Sequence, residues 1–217
     1  MNEEGRRIGL FGGTFDPVHN AHLALARQAY RQYALDTVWL VPTGQPPHKR
    51  GQTHTDIRHR MEMIRLAIRD IPGMELCSLE EDAEAYHYTY RTVQILRERC
   101  PHDQFYFIMG ADSLFNFENW REPGAICSEC ILLAAIRDAH NMEDIQTQME
   151  RLHALYQADI RLLNTPNMNI AAEDIRARIR KGADISGMLP ASVEQYLRKN
   201  RLYEGEVGTW TQSVSGT

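Results

Sequence analysis

No run of about 18 apolar residues occurs in the chain, so the sequence encodes no helix able to cross a membrane. Basic charge is not in excess: 24 Lys and Arg stand against 29 Asp and Glu, for a net charge of −5. A general nucleic-acid binder neutralises many phosphates with a basic stripe, and the sequence has none. Neither a nucleic acid nor a membrane is expected as a partner. Cysteine is scarce, with 4 in 217 residues. Cys77, Cys100, Cys127 and Cys130 suit reduced thiols in a cytoplasmic protein. Cys127 and Cys130 form a lone C-x-x-C, without the second ligand pair of a structural zinc site. The opening MNEEGRR has no apolar signal region, which adds to the expectation of the cytoplasm. Two phosphate-binding signatures are missing as well: the Gly-Lys-Ser/Thr of a Walker A loop and the G-x-G-x-x-G dinucleotide fingerprint.

What is present is an alternation of short apolar runs with amphipathic ones. Arg7 to Phe11 reads as a buried strand closed by glycines, and Ala21 to Tyr33 as a helix. Thr37 to Val41 is β-branched and aromatic, a second strand stopped by Pro42. Strand, helix and strand over so short a stretch make a βαβ unit, which implies a parallel pair. The same reading predicts helices at Asp56 to Asp70, Thr89 to Arg99, Asn141 to Tyr156, Ala172 to Lys181 and Ala191 to Asn200, the last behind Pro190. It predicts strands at Met74 to Leu79, Gln104 to Met109, Ile131 to Ile136 and Ile160 to Leu163, with a turn at Gly110 to Asp112. The expected fold is α/β, a doubly wound parallel sheet with C-terminal helices. One domain is expected over 1–203, with 204–217 a disordered or loosely attached tail. Monomer and homo-oligomer are both open.

The chemistry concentrates in GLFGGTFDPVHNAH, residues 9–22. Ligands of an open α/β sheet gather at the carboxyl ends of the strands, and Gly12 and Gly13 are expected just after the first of these. Lacking side chains, they let a ligand approach the backbone. The helix that follows offers unpaired N–H groups and a positive dipole end, a ready phosphate site. His19 and His22, three residues apart, are expected on one face of its first turn. Imidazole N–H groups aimed at phosphate oxygens stabilise charge that grows in a transition state. Two other readings of the pair stand beside this one: half of a metal site lacking a third ligand, or core and capping histidines.

GGTFDPVHNAH resembles the signature of the nucleotidylyltransferase superfamily, whose members carry H-x-G-H or T-x-G-H at this joint. The chain to about Tyr203 resembles the bacterial nicotinate-nucleotide adenylyltransferase family, with further motifs in order: VPTGQPPHK (41–49), YHYTYRTVQIL (86–96), FIMGADSLFNFENW (107–120), IAAEDIRARIRKG (170–182) and LPASVEQYLRKNRLY (189–203). The resemblance implies a Rossmann-like nucleotidylyltransferase fold. It implies a reaction in which the 5′-phosphate of nicotinate mononucleotide attacks the α-phosphorus of ATP, with Mg²⁺ on the ATP phosphates. By the same resemblance His19 and His22 are catalytic, and Gly12, Gly13, Thr14 and Phe15 lie at the ATP phosphates. Gly110, Asp112, Arg137 and Arg176 join the ATP site, and Lys49, Thr89, Asp112 and Trp120 the nicotinate mononucleotide site. On residue type alone Asp112 reads equally as a helix cap, and Trp120 as a core or surface aromatic.

The chain departs from that family at specific positions. Ala21 replaces the glycine of H-x-G-H. Ala171, Ala172 and Glu173 stand where the family places Ser-Ser-Thr hydroxyls for the ATP phosphates, and AIRDAH (135–140) lacks the Arg-Pro-Gly form. Weaker ATP binding is therefore expected. Two alternatives remain at this level: a sibling transferase for another phosphate acceptor, and a non-catalytic nucleotide-binding protein.

Overall fold

The computed structural model describes residues 5–43, 54–79, 88–136, 141–165 and 168–204. Its frame is a six-stranded, all-parallel sheet: β1 (Arg7–Gly13), β2 (Thr37–Pro42), β3 (Met74–Leu76), β4 (Gln104–Gly110), β5 (Cys130–Ile136) and β6 (Ile160–Asn164), in the order β3-β2-β1-β4-β5-β6. This is the doubly wound order, and the direction of winding reverses between β1 and β4.

Alternation along the strands builds two cores, because successive side chains point to opposite faces. Phe11, Val38, Leu40, Tyr106, Ile108 and Leu133 face one side. There they meet α1 (Asn20–Gln32), α2 (Ile57–Ile68), α7 (Ala172–Arg180) and α8 (Ala191–Lys199), through residues such as Ala26, Ile64, Ile175 and Val193. Ile8, Leu10, Phe105, Phe107 and Leu132 face the other side. They pack on α3 (Thr89–Arg99), α4 (Ala111–Phe115), α5 (Pro123–Glu129) and α6 (Met142–Tyr156) through Val93, Leu114, Ile126 and Leu152. Strands covered on both faces need near-continuous apolar sequence, and FYFIM within β4 is that.

The expected α/β architecture is the observed one, with local differences. Gly12 and Gly13 do not follow β1; they end it, opposite Val41 and Pro42 of β2. β3 is only Met74–Leu76, an edge strand, and does not run on to Leu79. Two short helices, α4 and α5, fill the stretch after Gly110 where a turn alone was expected. Lys49, Arg137 and residues 205–217 of the expected tail lie outside the described residues. No helix among the described residues is long and apolar enough to cross a membrane.

Candidate active site

The carboxyl ends of β1 and β4 are neighbours, and the chain leaves β1 for α1 and β4 for α4 there. The space between the two departures is the crevice of a doubly wound sheet. Gly12 lines it. A Cβ built on Gly12 meets nothing nearer than the Phe107 ring at 3.7 Å, and its backbone is not left-handed. The protein itself therefore has room for a side chain at Gly12. Neither packing nor backbone conformation within the described chain calls for glycine at this position. Gly110 is similar, with nothing within 4 Å of a built Cβ. Gly12→Ala should accordingly keep or slightly raise stability, since Ala is better tolerated than Gly inside regular elements by about 0.5–1 kcal/mol. It should raise the KM for the nucleotide about tenfold. Thermal melts and initial rates on one preparation check both halves.

His19 and His22 are brought together, though not as two residues of a first helical turn. His19 is the N-cap of α1, in extended conformation, and His22 is the third residue inside the helix. Their rings stack, with centroids 3.6 Å apart and planes 18° from parallel. The His19 backbone N–H donates to Nδ1 of His22 at 3.3 Å. With Nδ1 accepting, a neutral His22 ring carries its proton on Nε2, which leaves Nε2–H as the donor. His19 is buried and His22 half-buried.

Other predicted residues are placed less simply. The Phe15 ring is 1% exposed. It lies edge-on to Phe11 and to the His22 ring, 5.0 Å from the latter, so it braces that histidine and offers no face to a ligand. The start of α1 is partly closed, because Asn20 N–H donates to the Met188 carbonyl at 3.0 Å. The expected row of unpaired helix N–H groups is shortened by that bond. Ala21 is buried. Asp112 does not cap α4, whose N-cap is Gly110. It is exposed on the wall of an open cleft of about 660 Å³, with Phe115, Asn116, Asp144, Thr147 and Gln148. Arg176 sends Nη1 to the Asp16 backbone carbonyl at 2.6 Å, so part of its donor fork serves the protein.

Thr89 and Trp120 sit on separate elements whose neighbouring residues meet. Thr89 is the first residue of α3, and the neighbouring Tyr88 ring lies 5.8 Å from the Arg121 guanidinium carbon. Trp120 is half-buried and packs against Phe107 and Phe117. The first turn of α3 contains no acidic residue. Ala171, the N-cap of α7, makes no side-chain cap bond, and Glu173 is exposed. The four cysteines are free thiols. Burial pushes Cys127 up to about 11 and raises Cys130 as well, so neither is a thiolate near neutral pH.

Two buried groups that sequence reasoning passed over hold the loops behind the histidines. Arg60 on α2 is 2% exposed. It donates to the carbonyls of Thr14 at 2.8 Å, Thr43 at 2.7 Å and Thr55 at 2.9 Å. Its signal was available: a charged residue among Ile57, Met61 and Ile64 on the apolar side of a helix. Asp16, 3% exposed, accepts from the Tyr203 hydroxyl on Oδ1 at 2.5 Å and from Thr55 N–H on Oδ2 at 3.2 Å. Burial pushes its carboxyl up, but the Tyr203 and Thr55 bonds and the Arg176 charge outweigh this, so its pKa falls below the ordinary value. The stabilisation it gives is present at neutral pH and is lost as the pH falls through that lowered value.

The chain matches the cytidylyltransferase-like family over residues 10–178. It is 34% identical over 199 residues to the nicotinate-nucleotide adenylyltransferase of Bacillus subtilis (strain 168), covering 92% of this chain and 99% of that one. It is 36% identical over 203 residues to a Desulfitobacterium hafniense (strain Y51) protein named probable nicotinate-nucleotide adenylyltransferase, covering 94% and 98%. Among solved structures, the Plasmodium falciparum nicotinic acid mononucleotide adenylyltransferase complexed with NaAD superposes with a TM-score of 0.76 at 21% identity, over 91% of this chain and 97% of that one. That last likeness concerns the fold. With parallel sheet, glycine-lined crevice and histidine pair in place, the chain belongs to the cytidylyltransferase-like family, among its nicotinate-nucleotide adenylyltransferases.

Proposed function

We propose that this chain joins the AMP moiety of ATP to nicotinate mononucleotide, giving deamido-NAD and pyrophosphate in NAD biosynthesis. The observation that carries the reading is the stacked His19–His22 pair at the crevice, beside a glycine with room for the side chain it lacks. The 5′-phosphate of the mononucleotide attacks the α-phosphorus in line, and pyrophosphate leaves. No enzyme nucleophile is needed, so the protein's work is positioning and charge stabilisation. His22 Nε2–H and the His19 ring donate to the reacting phosphate, whose charge rises in the transition state. The strand end at Gly12 to Thr14 and the remaining donors of Arg176 hold the ATP phosphates. Asp112 takes a ribose hydroxyl.

Nicotinate is an anion, and its carboxylate suits the N-terminus of α3 at Thr89, with Trp120 against the pyridine ring. The amide form has no charge to place there. Lys49 and Arg137 are proposed at the mononucleotide and the ATP respectively, from the motifs alone.

Mg²⁺ is proposed with ATP. Among the described residues no group of three or more His, Cys, Asp or Glu could hold a metal ion, and Asp16 already accepts from protein donors. Such an ion would be carried by the ATP phosphates and would offset the charge of the departing pyrophosphate.

The test is product identity. ATP and nicotinate mononucleotide should yield deamido-NAD and pyrophosphate in equal amounts, and ATP with phosphopantetheine in its place should release no pyrophosphate. The reverse preference would assign the chain to a sibling transferase.

The uncapped start of α7 favours a second reading, a binding protein with a weakened ATP site. An active enzyme with weakened binding makes its own prediction. Ala171→Ser should add about 1 kcal/mol of stability through an N-cap bond. Ala171→Ser with Ala172→Ser should lower the KM for ATP by about tenfold, the worth of a hydrogen bond to a charged group. Nucleotide binding with no turnover in either form would support the binding protein.

A further inference from the structure

Asp16 lies three residues before His19, and separate parts of the chain converge on it. Oδ1 takes the Tyr203 hydroxyl at 2.5 Å, across a sequence separation of 187. Oδ2 takes Thr55 N–H at 3.2 Å and lies 3.6 Å from Nδ1 of His54. The Asp16 carbonyl takes Nη1 of Arg176 at 2.6 Å. Tyr203 thus reaches from beyond α8 to the segment that leads into α1. We propose that Tyr203 is a positioning residue for the reaction, acting through Asp16. Its hydroxyl fixes the carboxylate, the carboxylate fixes residues 14–19, and these set the direction of the His19 ring.

The inference rests on the proposed adenylyl transfer and deepens it. The hydroxyl touches no substrate. Its effect comes from geometry, and small misplacements of a reacting group are costly in rate. A residue that served stability alone would lower the melting temperature and leave the turnover of folded molecules unchanged.

The experiment is a double-mutant cycle on the full chain with Tyr203→Phe, Asp16→Asn and the pair, read as kcat and KM well below the melting temperature. Tyr203→Phe keeps the ring and removes only the hydroxyl. We expect kcat to fall about tenfold with the KM for ATP within about twofold. In the Asp16→Asn background the same change should cost little more, since its partner is already altered. The loss of stability in acid should also begin at higher pH in Tyr203→Phe, because Asp16 loses a donor while His54, Thr55 and Arg176 still face it. An unchanged kcat in a folded Tyr203→Phe protein would overturn the inference, as would full additivity in the cycle. Wild-type protein is assayed first. If it makes no deamido-NAD, the underlying reading fails and this one with it. If it does and Tyr203→Phe matches it, only this one fails.

Discussion

His19→Asn lowers kcat by about 10²-fold or more, while the protein stays folded. The choice of Asn separates two roles that one side chain plays here. His19 is the N-cap of α1, and Asn is among the best N-cap residues, so the helix start survives. The imidazole is lost, and with it the proposed donor to the phosphate whose charge grows in the transition state. Removing one such donor typically costs about 10²- to 10³-fold. KM for ATP should move much less than kcat, because the donor acts most strongly on the transition state. The His22 ring also loses the surface it stacks on at 3.6 Å, so part of the effect passes through His22. Steady-state rates with a thermal melt decide the matter. A folded variant with wild-type kcat would remove His19 from the mechanism.

Arg60→Met destabilises the protein by about 3 kcal/mol or more, although Arg60 touches no ligand in this account. The methionine fills much of the volume but donates nothing. The carbonyls of Thr14, Thr43 and Thr55 each lose a partner, and a buried group left unsatisfied costs about 1–3 kcal/mol. Arg60→Lys should recover only part of this, since an ammonium lacks the planar fork that spans separated acceptors. Those carbonyls belong to the ends of β1 and β2 and to the approach to α2. Nucleotide affinity should therefore fall together with stability. Denaturant unfolding of the three proteins measures the first effect. A loss below about 1 kcal/mol would mean that water or other donors replace the guanidinium.

The frame of this fold was legible because its strands are apolar runs and its helices carry clear periodicity. Thr89 to Arg99 was read with the boundaries it has, and β4 and β5 were each read to within one residue. The stretch from Asp112 to Glu129 was not, since α4 spans 5 residues and α5 spans 7, too short to show a helical period. The extent of β3 failed for another reason: its register with β2 covers Met74, Glu75 and Leu76 at the sheet edge, where pairing rather than composition sets the end. At the site, the glycines and histidines announced themselves because they sit together in one short motif. Their supports did not. Tyr203 and Asp16 meet only in the folded chain, and no local pattern marks such a pair. Phe15 was assigned to the ligand from its place in the motif, yet positive φ and burial turn its ring inward against His22. Arg176 was read as a phosphate contact from its motif, and the fold commits one of its nitrogens to Asp16.

The most direct test of the central claim is the initial rate of pyrophosphate release from ATP and Mg²⁺, with nicotinate mononucleotide in one reaction and nicotinamide mononucleotide in the other. Release that depends on the acid form is the expected result, because the anionic ring is the one that suits the positive end of α3. It would also show that Ala171, Ala172 and Glu173 are compatible with turnover. No release with either acceptor, from folded protein that binds ATP, would contradict the account.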